Sequence, residues 1–196
     1  MSRRRPRASL LSTAAALTLA VAALVGCQGA APVKPAAPAM RTAPPPFAAR
    51  RVLAQEEDEL RARLPALDAG LVETADRLVL RAPARTLFGA DEAELGSEAA
   101  PLLSAVSEVL RRHGATHADV VVYTDSIGGV AANRRRAEVR AAAIVAALVA
   151  QGVPAAQLRA IGSGASMPIE SNSTPEGRER NRRVEIVLDP GAGAKL

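Results

Sequence analysis

The stretch Ala118-Asp119-Val120-Val121-Val122-Tyr123-Thr124-Asp125-Ser126-Ile127-Gly128-Gly129 runs directly into the segment Val130 to Gln151. Its apolar, Val-rich first half reads as a buried strand, and the paired glycines break it. The segment that follows sets Ala137, Ala141, Ile144, Val145 and Leu148 on one helical face, and Gly152 stops it. A carboxylate, Asp125, therefore stands just beyond the C-terminal end of a strand that turns into a long helix. Open α/β sheets commonly present ligand-binding groups at that end.

Upstream, Leu102, Leu103, Val106, Val109 and Leu110 recur at three and four over Ser97 to His113, a second helix with Ser97 as a candidate cap. Further upstream, Gly70-Leu71-Val72-Glu73 and Arg77-Leu78-Val79-Leu80-Arg81 flank a polar turn at Thr74 to Asp76 and suggest a hairpin. Downstream come a short strand at Leu158 to Ile161, a Gly/Ser/Pro loop from Gly162 to Pro175, a helical turn around Glu176 to Arg180, and a strand from Arg183 to Leu188. Helices after alternate strands predict an α/β (α+β) two-layer sandwich, βαβαβ(α)β, with helices on one face of a mixed sheet. No internal repeat is visible.

The chain of 196 residues is long enough to bury a core. Aromatic residues make up 2% of it, Phe47, Phe88 and Tyr123 alone, so it lacks the stacking platforms that single-stranded nucleic acid needs. The formal charge of +5 is mostly local, because Arg3, Arg4, Arg5 and Arg7 supply four charges in a segment without acids. From Asp76 to Asp189 there are 14 Arg against 14 Asp plus Glu, so no basic footprint for nucleic acid remains. A single cysteine excludes an intrachain disulfide and a cysteine-built zinc site.

That cysteine closes the N-terminal pattern. Basic residues 2–7 precede an apolar run from Leu10 to Leu24, and then Leu24-Val25-Gly26-Cys27. The apolar run is short of the roughly 20 residues of a membrane-spanning helix, and its flanks fit an export signal better than a tight transmembrane anchor. Ala30 to Pro46 carries Pro32, Pro35, Pro38, Pro44, Pro45 and Pro46 among alanines, an extended polyproline spacer. Between Ala48 and Leu67, Leu53, Leu60 and Leu64 beside the run Gln55-Glu56-Glu57-Asp58-Glu59 suggest a short helix with a charged, solvated face.

Among the polar residues, Arg140 is the odd one, with its stem beside the apolar face of the long helix. Arg134, Arg135 and Arg136 crowd that helix's first turn against its dipole, which solvent and local partners such as Glu138 would relieve. Asn172 to Glu185 gathers amides and guanidinium groups immediately before the last strand. His113 and His117 lie at a helix end and the following loop, where solvation explains them and no metal site is indicated. Ser163 and Ser166 have no histidine placed to suggest a triad, and Gly162-Ser163-Gly164 lacks the third glycine and acidic follow-up of a dinucleotide site.

From Leu87 to Leu188 the sequence resembles the OmpA-like domain, the peptidoglycan-associating module of outer-membrane proteins, Pal-type lipoproteins and flagellar stator subunits. The resemblance rests on Thr124-Asp125-Ser126-Ile127-Gly128, Asn133, Arg140-Ala141, Gly152-Val153 with Arg159, Gly162-Ser163-Gly164 with Pro168, and Asn172 through Glu185. It implies noncovalent binding of diaminopimelate-containing stem peptides, with Asp125 and Arg140 holding the ligand, no cofactor and no catalysis. Asp125 would accept from the ammonium of a free diaminopimelate end and Arg140 would grip its carboxylate in a fork, and their mutual attraction would hold both ionised. Asn133 would bond the peptide, and Gly89, Ala90 and Asp91 match the segment whose backbone lines the ligand. Arg182 or Arg183 completes the site or holds the sheet edge. Two departures touch the pocket rim: Arg136-Ala137 stands where Leu-Ser is usual, and Gly89 where an acid commonly follows the Phe.

Leu-Val-Gly-Cys also resembles the bacterial lipobox, which implies cleavage before Cys27 and its lipidation, palmitate included. Gln28 after it points to outer-membrane sorting with the domain facing the periplasm. The arginines at positions 3–5 faintly resemble a twin-arginine signal, which leaves the export route open. The expected organisation is a signal peptide (1–26), lipidated Cys and linker (27–47), short helix (48–68), peptidoglycan-binding domain (69–190) and tail (191–196). The expected function is a lipid-anchored tether between outer membrane and cell wall. The alternatives are a docking subunit of an envelope protein complex, with 48–67 as the docking helix, and a peptidoglycan hydrolase or its regulator.

Overall fold

A computed structural model describes residues 46–63, 69–74, 76–89 and 94–190. The readings of the signal, Cys27, the spacer up to Pro45, Ala90, Asp91 and the tail fall outside these residues. Strand period and register decide the architecture. Strand β2 (Leu78–Pro83) alternates buried and half-buried residues and pairs antiparallel with β1 (Gly70–Glu73) on one side and β5 (Arg183–Asp189) on the other. Strand β5 pairs antiparallel with β3 (His117–Tyr123), which pairs parallel with β4 (Leu158–Gly164), giving a mixed sheet in the order β1-β2-β5-β3-β4. Registry puts Leu80, Ile186 and Val120 side by side, with Leu78, Leu188 and Ala118 on one flank and Ala82, Val184 and Val122 on the other. These residues form one apolar face. After the short α2 (Ala84–Leu87), helices α3 (Ala99–Arg112) and α4 (Val130–Ala150) cover it with Leu102, Val106, Val109, Ala141, Ile144 and Leu148. The opposite face is polar, with Arg81 and Arg183 on Glu185 and Arg159 on Asp119.

Parallel β3 and β4 need a crossover, and α4 supplies it. Gly162 permits the close fit of α4 on β4, because a Cβ there would sit 2.4 Å from the Glu138 backbone nitrogen. That contact also explains why β4 continues through Gly162, Ser163 and Gly164, where a loop was expected: the glycines belong to the strand because the helix backbone lies against them. Ser97 does not cap α3. The helix begins at Ala99 behind Glu98, and the Ala99 and Ala100 amides already donate to the Gly96 and Ser97 carbonyls, so no hydroxyl is needed. The first hairpin turn is held by Thr74, whose amide and hydroxyl both donate to the Arg77 carbonyl at 2.9 and 3.0 Å.

Helix α1 (Pro46–Arg63) starts two residues inside the expected spacer, with Pro46 at a first-turn position that tolerates its missing N–H. Its acidic run is not uniformly solvated. Leu53 and Leu60 enter the domain core, and Glu56, on the same stripe between them, is 0% exposed. The Thr116 hydroxyl donates to Glu56 Oε1, whereas Oε2 has no hydrogen-bond partner. Burial pushes the Glu56 carboxyl up to about 7, with the Thr116 bond opposing and Glu59 adding to the shift. The apolar stripe of α1 is thus used on the domain's own core. Arg63, Arg112 and His113 link α1 to α3 through Glu108 and Glu59.

Gly162→Ala should cost about 1–3 kcal/mol by forcing α4 off β4, read as a lowered urea midpoint. Gly114→Ala, which meets nothing within 4 Å, should stay within about 0.5 kcal/mol of the parent.

Candidate functional site

The turn from β3 into α4 holds Asp125 by its own backbone and by Asn133. Asp125 Oδ1 accepts from the Ile127 amide at 3.0 Å, an Asx-type closure of the turn. The buried Asn133 amide group donates to the Ile127 and Asp125 carbonyls at 3.0 and 3.3 Å, and its Oδ1 accepts from Arg136 at 3.1 Å. Asn133, which the resemblance implies would bond the peptide, directs both amide donors and one acceptor position to shaping the turn. Asp125 is left 8% exposed.

Arg182 Nη1 donates to Asp125 Oδ2 at 2.5 Å, and its other terminal nitrogen bonds Glu179. Glu179 in turn accepts from Arg85 at 2.8 Å, completing an alternating chain Arg85–Glu179–Arg182–Asp125. The Arg85 hydrogen bond holds the Glu179 carboxyl below its ordinary value, burial opposes, and Arg182 adds to the lowering. The ion partner of Asp125 in this chain is Arg182, not the Arg140 expected from the sequence. Arg140 is 6% exposed and lies over the Phe88 ring, 5.0 Å from its centroid, a cation–π contact that fixes the guanidinium. It shares the buried face of α4 with Asn133 and Ala137.

The two arginines left undecided by sequence part company at the strand. Arg182 turns to Asp125. Arg183 turns to the outer sheet face, where it stacks 3.7 Å from the Tyr123 ring centroid and bonds Glu185 and the Met167 carbonyl. The arginines of the first turn of α4 are exposed as expected, with Arg134 on Glu138 at 3.0 Å. Gly89 is exposed, and its amide donates to the Glu94 carbonyl at 3.3 Å, while Gly96 donates to the Leu87 carbonyl, closing the base of the loop after Phe88.

Several contributors had no assigned role. Asn172 Oδ1 accepts from the Ser126 amide at 3.2 Å and from Asn181 at 3.0 Å. Asn181, at the end of α5 (Pro175–Asn181), also accepts from the Ile169 and Glu170 amides and donates to the Glu170 carbonyl. The loop before the last strand is thereby fastened to the Asp125 turn. Thr174 caps α5 by accepting from the Gly177 amide. Glu179 lies three residues before Arg182, a helical spacing visible in the sequence. Arg85, 94 residues from Glu179, is not visible that way.

The OmpA family model matches residues 87–182, which span Asp125, Asn133, Arg140 and Arg182. Residues 87–182 are an OmpA-family domain. Probable lipoprotein YiaD of Escherichia coli (strain K12) is 38% identical over 135 residues, covering 69% of this chain and 62% of that protein. Peptidoglycan-binding protein ArfA of Mycobacterium tuberculosis is 37% identical over 102 residues, 52% of this chain and 31% of its own length. The chain spans less than two thirds of either relative. A putative MotB-like protein from Desulfovibrio vulgaris superposes with a TM-score of 0.66 at 25% identity, over 74% of this chain and 92% of that one. Helix α1 and the β1–β2 hairpin precede the OmpA-family span.

Asn181→Ala should leave the Ile169 and Glu170 amides without their acceptor, speed their hydrogen exchange selectively, and cost about 1–3 kcal/mol. Because the folded-state value of Glu179 is depressed, its contribution is complete above the ordinary carboxylate range and is lost as pH falls through the folded value. Glu179→Gln should therefore flatten part of the acid limb of a stability profile between pH 5 and 2, by a small amount because the pair is partly exposed.

Proposed function

We propose that this chain is a lipid-anchored envelope protein whose OmpA-family domain grips peptidoglycan without cutting it, through diaminopimelate-containing stem peptides. The observation that carries the reading is that Asp125, at the turn into α4, and Arg140, on the buried face of α4, are both nine-tenths buried within an OmpA-family domain. A free diaminopimelate end offers an ammonium beside a carboxylate. A carboxylate has about four lone-pair sites, and the Arg182 and Ile127 donors occupy two of those on Asp125. The remaining sites accept an ammonium without displacing Arg182. Glu179 offsets the charge of Arg182, so Asp125 keeps its attraction for a cation. Arg140, its guanidinium carbon 5.0 Å from the Phe88 ring centroid, would bond the ligand carboxylate.

The name of ArfA supports peptidoglycan as the ligand, and that of YiaD supports the anchor. Cys27 would carry the lipid, the prolines after it would span the distance to the wall, and the outer membrane would be the anchored leaflet, with the domain in the periplasm. Ala90 and Asp91 remain proposed lining residues beside Gly89. Envelope protein partners fit the same placement. Turnover plays no part in this reading, since two fixed charges and a shaped turn hold a ligand without activating a nucleophile.

Co-sedimentation of the mature chain with diaminopimelate-type sacculi tests the reading. Asp125→Ala and Arg140→Ala, each confirmed folded, should weaken binding by about 10-fold or more, as loss of a charge-assisted contact implies. Failure of the folded parent to sediment, or release of soluble wall fragments by it, would overturn the tether.

A further inference from the structure

Glu56 is the one carboxyl among the described residues with no measurable exposure, and it belongs to α1, outside the OmpA-family span. It sits where an apolar side chain is expected, between Leu53 and Leu60 on the stripe that packs α1 into the core. One oxygen is met by the Thr116 hydroxyl, and the other has no partner, a state that suits a protonated acid and not a carboxylate. The charged and titratable groups around this contact are Glu59 on α1, Glu108, Arg112 and His113 on and just after α3, and His117 at the start of β3. Arg112 and His113 are directed at Glu59, and Arg63 and Arg112 at Glu108, so no cation among the described residues pairs with Glu56. On the side of the Thr116 turn, Gln157 donates to the Thr116 carbonyl and brings no charge.

We propose that α1 is a pH-operated strap: with Glu56 protonated it docks on α3, and loss of that proton to solvent releases it. The released helix adds its 18 residues to the connection between the domain and the chain before it, and uncovers the α3 flank on which Leu53 and Leu60 rested. The direction follows from linkage. A carboxyl that titrates near 7 docked and near 4.5 free favours docking fully below about 4.5, and the docking constant falls as pH rises between the two values. The whole fall is on the order of 300-fold, of which roughly 30-fold lies between pH 5.5 and 8. Neither peptidoglycan nor a lipid anchor is needed for the device to operate.

Hydrogen exchange of the full chain, corrected for the intrinsic pH dependence, reads it directly. Protection of amides 53–62 should drop roughly 30-fold from pH 5.5 to 8 relative to β3 and β5. Glu56→Gln should hold α1 protected across the range, and Glu56→Leu serves if the amide variant does not fold. His113→Asn, which removes the imidazole that faces Glu59, should leave the drop in place. The strap is overturned if the parent shows no selective drop, if a non-ionisable residue at position 56 drops equally, or if His113→Asn abolishes the drop.

Discussion

The buried amide of Asn133 is the constraint on which the site depends. It reaches back from the first turn of α4 to the carbonyls of Asp125 and Ile127, so the end of β3 and the start of the helix are one rigid piece. Asp125 can then stand nearly buried without drifting, because its own Oδ1 closes the same turn on the Ile127 amide. From the other side, Asn172 takes the Ser126 amide and Asn181 fastens Asn172, so a loop nearly fifty residues away is tied to the same few atoms. Three asparagines do the work of a local scaffold, Asn133 and Asn181 as donors and acceptors at once and Asn172 as an acceptor.

The alternation of a strand separates functions that the sequence places side by side. Arg182 and Arg183 are consecutive, yet one joins the chain of charges at Asp125 and the other stacks on Tyr123 on the outer face. The same sheet therefore carries the candidate site at one rim and, over its outer surface, a lattice of Arg81, Arg183, Glu185 and Tyr123 that fixes β2, β5 and β3 to one another.

The order of elements was legible because each long segment carries one period throughout: the Val run of β3, the three-and-four spacing of α3 and α4, the alternation in β2. Site residues within the Thr124 and Asn172 blocks were legible because the resemblance fixed their identity, but roles were not. Asn133 reads equally well as ligand or scaffold until the carbonyls it meets are known, and the partner of Asp125 depends on where β5 starts relative to β3. The acidic run of α1 misled for a physical reason. Five polar residues in a row suggest solvation, whereas Leu53, Glu56 and Leu60 fall on one helical stripe, and spacing outweighs composition there. The glycines of β4 misled in the same way, since a close helix backbone, invisible in sequence, makes them strand residues.

The equality of arginines and acids has a consequence for kinetics. In the fold the charges are matched in place: Arg85 and Arg182 on Glu179, Arg81 and Arg183 on Glu185, Arg159 on Asp119, Arg180 on Glu170. Fields of such close pairs decay within a few ångströms, well inside the roughly 10 Å screening length of ordinary salt. A molecule approaching this domain is not drawn in from a distance, and its arrival rate should be that of an unsteered encounter, about 10⁵–10⁶ M⁻¹ s⁻¹ for a protein-sized partner, nearly independent of ionic strength. Selectivity then resides in how long the visitor stays.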